Sequence, residues 1–197
     1  MTKGESRNTF LRHIGEATRQ GQILSPHVSA DWSDRHDFLV DSALHMIAAA
    51  VGIPAVWTIA PDEGQADIYG RTCPLPGDFI SPGEASRACS GSCMPFDDYT
   101  LTPDSIRLPA GVDGPIVIRY FRLPAALPAD ADDDTPIDLP DRAAHLLPLR
   151  CAAMALQAED PARSAYLMDL YLHEAAQVGG YGFFSEAAMQ ARYRMEV

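Results

Sequence analysis

The hydrophobic pattern of this chain changes period at Pro54 and changes back after Pro140, and that double switch limits the fold more than any other feature. Before Pro54, Phe38, Ala43 with Leu44, Ile47 and Val51 recur at helical intervals. Ser33 or Asp34 is the expected cap of this helix, Asp34 and Asp37 sit near the positive end of its dipole, and Gly52 with Pro54 stops it. After Pro54 the texture is that of strands. AVWTIA and ADIYG flank a turn-forming cluster at Pro61–Gln65 and predict a hairpin. LPGDFI predicts a short extended piece ahead of a loop of small residues, Ser81–Cys93. A second hairpin is expected where Tyr99–Leu101 and Ser105–Leu108 bracket Thr102-Pro103-Asp104. The best strand is IVIRYFRLP, with Ile116, Ile118 and Tyr120 on one face. Four to six strands are expected in all, within residues 55–123.

Two helices follow. Leu146, Leu149, Ala153 and Leu156 mark the buried stripe of the first, where Pro148 forces an irregular first turn or a kink. Asp160 caps the second with Pro161 at its first position, and Ala165, Met168, Leu172 and Ala175 form its expected apolar face. The connection at 158–160 is short enough to require an antiparallel helical hairpin. Sixteen prolines argue against an all-helical bundle. The expected fold class is therefore α+β: a helical bundle with an inserted small antiparallel β unit and an extended C-terminal arm.

The ends read differently from the middle. Residues 1–32 form an N-terminal arm with a short helix over Glu5–Gln20, carrying Phe10, Ile14 and Ala17 and stopped by Gly21, then a loop across Gln22–Ala30. A core domain spans 33–178, with helices 33–51, 141–157 and 161–178, the β insertion 55–123 and an acidic linker 124–140. In that linker Asp130, Asp132, Asp133, Asp134 and Asp138 repel one another, so it is expected to be an exposed, loosely held strap. Residues 179–197 form a C-terminal arm whose Tyr181, Phe183, Phe184, Met189 and Tyr193 suit either a partner surface or a fold-back onto the chain's own core.

The formal net charge is -12, with residues 33–178 at -13, residues 1–32 at +1 and the last 19 residues neutral. A nucleic-acid backbone is then a poor tight ligand. WSDRHDFLVDSALHMIAAAVGIPAVW can be forced into a helix-turn-helix, but Pro54 breaks its second helix and no basic side chain there meets phosphate. No run is long and apolar enough to cross a membrane, and the first twenty residues lack the apolar core of a secretory leader. Reduced thiols are expected.

Cys89-x3-Cys93, with Cys73 and a histidine, invites a zinc site, but no second CxxC or HxxxH supplies a tetrahedral set. The aspartate run lacks the glycine turn and distal glutamate of a calcium loop. His173-Glu174 lacks a zincin's second histidine, while His27, His36, His45 and His145 are scattered. No catalytic residue, metal ligand or cofactor is expected. The rival reading is a small metal-dependent or hydrolytic enzyme built on an Asp/His cluster.

The order of segments resembles the head-to-tail adaptor (head-completion, connector) proteins of tailed bacteriophages. The matching residues are Trp32-Ser33-Asp34, then Tyr69 with Leu75-Pro76-Gly77-Asp78-Phe79-Ile80, then Tyr99 with Leu101–Ile106. Ile118–Pro124, Ile137-Asp138-Leu139-Pro140, Leu149–Ala152 and Ala158–Ala162 continue the order, which covers roughly residues 30–178. Pro82-Gly83, Pro148 and the cysteine loop depart from it.

The resemblance implies a structural virion protein at the neck, assembled in the host cytoplasm as a ring of about twelve copies beneath the portal protein, with cyclic symmetry. It implies a tail or stopper (nozzle) protein below the ring, and DNA passing through without sequence-specific binding. A C-terminal arm that orders on the portal would use Tyr181, Phe183, Phe184, Met189, Arg192, Tyr193 and Arg194 as portal-binding residues. A monomer or weak oligomer is expected in isolation. A different tail-completion or stopper protein is the nearest alternative.

Overall fold

Thr2, the residue before the first helix, closes a capping box with Glu5. The Thr2 N–H donates to Glu5 Oε2 at 2.8 Å and the Glu5 N–H donates to Thr2 Oγ1 at 3.3 Å. Helix α1 (Lys3–Ile14) begins there and ends at Gly15, whose φ of 85° is the left-handed C-cap conformation. The structure, a computed structural model, describes residues 1–16, 23, 25–89 and 92–179. Among them the fold is α+β, with helices and two small antiparallel sheets. It divides into a helical unit, comprising Met1–Ile53 and the described residues from Pro124 onward, and a β unit, Pro54–Leu123.

In the helical unit, α2 spans Pro26–Val51, α3 Asp141–Ala144, α4 Leu146–Ala155 and α5 Pro161–Gly179. Helix α4 packs against α1, α2 and α5. The core it organises includes Phe10, Leu11, Ile14, Trp32, Leu44, Ile47, Leu146, Leu149 and Leu156. Several expectations change here. Helix α1 starts two residues before Glu5, ends at Gly15 rather than Gly21, and belongs to the core instead of forming an arm. Helix α2 begins at Pro26, inside the expected loop, because proline costs nothing in a first turn, where its missing N–H has no partner to lose. Ser33, Asp34 and Asp37 therefore lie well inside the helix and not at its start. Phe38 is exposed, and Trp32 takes the core position.

The Pro148 irregularity falls between α3 and α4. The helix breaks at His145, so Pro148 sits in the first turn of α4. Asp160 caps α5 as expected, accepting from the Arg163 N–H at 3.0 Å. The buried face of α5 is displaced from the expected one: Ser164, Leu167, Tyr171 and Ala175 turn inward, while Ala165 and Leu172 are exposed. Ser164 occupies the core because its hydroxyl donates to the Ala153 carbonyl at 2.6 Å.

The acidic linker is held firmly rather than loosely. Thr2 bridges Pro136 in an antiparallel pairing, the Lys3 N–H donates to Thr135 O (2.9 Å), and the Ile137 N–H donates to Met1 O (3.1 Å). Leu127 and Ile137 are buried in the core. Gly4 donates to Asp133 O at 2.9 Å, and a Cβ at Gly4 would stand 3.0 Å from Asp133 Cβ, so any side chain there would push the strap back by a few tenths of an ångström.

The β unit forms two four-stranded sheets, more strands than the sequence suggested. One has the order β1 (Ile53–Ile59), β8 (Ile116–Arg122), β4 (Phe79–Cys89), β5 (Ser92–Pro95). The other has the order β2 (Gln65–Asp67), β3 (Gly70–Pro74), β7 (Ser105–Pro109), β6 (Thr100–Leu101). The strands read as the first hairpin, β1 and β2, lie in different sheets. Between them the Arg71 Nη1 donates to Ala60 O at 2.6 Å, Cys73 Sγ to Glu63 O at 3.3 Å, and the Ala60 N–H to Glu63 Oε2 at 3.0 Å. The expected small-residue loop is the eleven-residue strand β4, paired with β8 through register shifts on either side of Ser81-Pro82. Such irregularities are where a strand tolerates proline. The β6–β7 hairpin and the inward set Ile116, Ile118 and Tyr120 follow the sequence reading.

Gly70 turns β2 into β3 at φ 148°, and a Cβ there would lie 2.0 Å from the Leu108 carbonyl oxygen. Gly70→Ala is expected to cost more than about 1 kcal/mol, read as a lowered thermal midpoint of the β unit.

Candidate functional site

The most concentrated set of interacting polar groups among the described residues lies in the helical unit where α1 and α2 meet the strap. Lys3 and Arg7 come from α1 one turn apart, and Ser6 lies beside them. His36 and Asp37 come from the middle of α2. The Lys3 side chain is 1 % exposed. Its ammonium lies 3.2 Å from Asp37 Oδ2 and donates to the carbonyls of Ala131 (2.8 Å) and Ala129. Three acceptors match the three hydrogens of the ammonium, the condition under which such a charge is tolerated out of water. Arg7 reaches Asp37 through Nε (3.1 Å) and Nη2 (2.7 Å), and its Nη1 pairs with Asp133 of the strap at 2.7 Å.

Ser6, His36 and Asp37 form a hydrogen-bonded chain: Ser6 Oγ to His36 Nε2 at 3.0 Å, and His36 Nδ1 to Asp37 Oδ1 at 3.0 Å. A carboxylate only accepts, so Nδ1 carries the proton and Nε2 accepts from the Ser6 hydroxyl. Burial holds the His36 pKa below its ordinary 6.5; Asp37 opposes this, and the Arg7 and Lys3 charges add to it. The ring is neutral. For Asp37, burial disfavours the charge, but the hydrogen bonds from Arg7, His36 and Lys3 outweigh it and hold the carboxyl below its ordinary 3.8. The chain has the connectivity of a nucleophile, base and orienting acid. Ser6 and His36 are, however, each 0 % exposed, packed beneath Phe10, whose ring centroid is 5.2 Å from that of His36. In this conformation no substrate carbonyl reaches Ser6 Oγ. What the arrangement does is join α1, α2 and the strap.

The sequence-derived candidates fall elsewhere. Tyr181, Phe183, Phe184, Met189, Arg192, Tyr193 and Arg194 lie outside the described residues. Cys73 and Cys151 are buried free thiols whose pKa values burial pushes up, the reverse of an activated nucleophile. No group of three metal-ligating side chains forms among the described residues. Asp133, within the aspartate run, serves Arg7. His173 contacts Gln177 (2.8 Å) and Glu174 lies 3.6 Å from His145, as a surface pair on a helix should. No helix among the described residues is long and apolar enough to cross a membrane. No protein-family model matches the chain, and no curated protein matches it.

The clasp of Lys3, Arg7 and Asp37 was missed by the sequence reading, although Thr2-Lys3-Gly4-Glu5 has the spacing of a capping box and marks an ordered N-terminus. Asp37→Asn leaves the Lys3 ammonium buried without its counter-charge and is expected to cost about 3 kcal/mol in denaturant unfolding. Both shifted groups give stability the same sign with pH. The His36 contribution is complete above 6.5 and is lost as pH falls below it, and the Asp37 contribution is lost below 3.8. Stability should therefore fall on acidification below pH 6.5. His36→Gln, which keeps a donor and an acceptor but cannot be charged, should flatten the first part of that fall; burial-depressed His13 supplies the remainder.

Proposed function

We propose that this chain is a structural component of a tailed-phage neck, a ring-forming connector beneath the portal that joins capsid to tail and lets DNA pass. The observation that carries the reading is the ordered series of segments from Trp32-Ser33-Asp34 to Ala158–Ala162. The architecture supports it. The polypeptide leaves a helical unit at Ile53 and re-enters it at Pro124, with the β unit between in sequence, and on this reading the two are the bundle and its β insertion. On this reading residues 179–197 are the arm that meets the portal, and Tyr181, Phe183, Phe184, Met189, Arg192, Tyr193 and Arg194 supply its contacts.

The charge fits the role. A subunit of net charge -12 repels phosphate over about one Debye length, roughly 10 Å, so it passes DNA without gripping it. A tail-completion or stopper protein of the same neck shares these arguments, and the position of the subunit in assembled particles separates the two. The hydrolase reading has one specific observation, the Ser6–His36–Asp37 chain, and the complete burial of Ser6 and His36 weighs against it.

Deleting residues 180–197 is expected to leave a folded chain that no longer co-purifies with portal rings. Retention on the portal after that deletion sinks the arm assignment. Electron microscopy that finds the chain absent from assembled particles sinks the connector reading itself.

A further inference from the structure

Among the described residues, the guanidinium of Arg150 on α4 meets no oxygen. Its Nη1 contacts Met168 Sδ, its Nη2 lies 3.1 Å from Met46 Sδ, and its carbon stands 5.1 Å from the centre of the Tyr171 ring. Its Nε is buried with no acceptor among the described residues. Thioether sulfur is a weak acceptor, and an arginine normally directs its five N–H bonds at oxygen. The guanidinium is thus already partly removed from water and flanked by a ring and two methionines, with its strongest interaction unused among the described residues. Met46, which its Nη2 contacts, is 42 % exposed, and Leu172, one turn beyond Met168 on α5, is 56 % exposed. A carboxylate that displaces the sulfurs gains a charge-assisted pair with a preset fork. Arginine framed by aromatic and methionine side chains is also the composition enriched where proteins bind each other tightly.

The same helical unit carries the complement. Asp130, Asp132 and Asp134 are exposed, and none of them makes an ion pair among the described residues. They project from a strap whose backbone is fixed: Asp133 O accepts from Gly4, its carboxylate pairs with Arg7, and Asp132 O accepts from Thr135. A carboxylate run already held in one shape has less freedom to lose on docking.

We infer that Arg150 with Met46, Met168 and Leu172 receives the Asp130–Asp134 turn of a second copy of this chain. The choice of a second copy rests on the connector reading above, and the charge complementarity supplies the register. Donor and acceptor surfaces differ, so the contact is head-to-tail, the kind that closes into a ring when the rotation between copies allows. Between two free copies it is weak, since each copy brings only one such contact.

The test is sedimentation of the full chain up to about 1 mM, the range in which an association worth about 4 kcal/mol is visible. Self-association that weakens as salt is added is expected. Arg150→Met, which keeps the packing against Tyr171, should weaken it at least tenfold, and so should the combined Asp130→Asn, Asp132→Asn and Asp134→Asn. An Arg150→Glu chain and a chain carrying Asp130→Lys, Asp132→Lys and Asp134→Lys should each remain monomeric alone, yet associate when mixed. The strap changes touch only exposed side chains, so they carry the test if an Arg150 variant fails to fold. Association unchanged in both neutral variants overturns the pairing and leaves the connector reading standing. So does a wild-type chain that is monomeric throughout at low salt. If the wild type associates only after residues 180–197 are removed, the chain's own tail occupies Arg150 and the pairing between copies is overturned. The connector reading fails separately, by absence of the chain from particles.

Discussion

The helical unit depends on placing the ammonium of Lys3 where water does not reach it. Removing such a charge from solvent costs several kcal/mol unless every hydrogen finds an acceptor and a counter-charge stands close. Asp37 supplies the counter-charge, and the Ala129 and Ala131 carbonyls supply the remaining acceptors. These partners come from α2 and from the strap, nearly a hundred residues apart in sequence, and Lys3 is where they are brought together. The consequence runs outward from there. The first turn of α1 has to lie against the strap, the absence of a side chain at Gly4 eases that approach, and Arg7 then spans Asp37 and Asp133. A segment rich in aspartate, which self-repulsion alone would extend, is folded onto the unit as a shaped turn.

Much of the architecture was legible because it rested on periodicity. Ala43, Leu44, Ile47 and Val51 are buried, as are Leu146, Leu149, Ala153 and Leu156, and Asp160 caps α5. The misreadings share one cause: a polar or backbone-special residue was assigned by type, when its partner lay far away in sequence. Ser164 is buried because the Ala153 carbonyl is there to accept from it, and that displaces the inward face of α5 from Ala165 and Leu172. Pro82 and Gly83 look like loop residues, yet a bulged register against β8 accommodates them inside the longest strand. Pro26 looks like a breaker and is a helix start.

The candidate site was the least legible part for the same reason. Lys3, Ser6, Arg7, His36 and Asp37 are unremarkable singly, and their meaning is a set of distances between α1, α2 and the strap. His36 had been counted among scattered histidines. Its lowered pKa comes first from burial, with Arg7 and Lys3 adding to it against Asp37, and its two hydrogen bonds come from Ser6 and Asp37, a set no local window contains. The aromatic C-terminal segment illustrates the opposite case, conspicuous in composition and outside the described residues.

The two units also differ in what maintains them. Among the described residues the main helical cluster gathers 22 buried apolar side chains, whereas that of the β unit gathers seven, one of them a cysteine and one an alanine. A cluster that small yields modest burial energy. The β unit therefore leans on backbone constraint, with turns fixed by Arg71, Cys73 and Glu63 and a β2–β3 turn at Gly70 that admits no side chain. Structure held by constrained turns can carry exposed apolar groups without loss of core, Val56 on β1 and Ile68 and Tyr69 in the β2–β3 turn. The helical unit is thus held by its core and by the strap clasped at Lys3 and Arg7, the β unit by its turns.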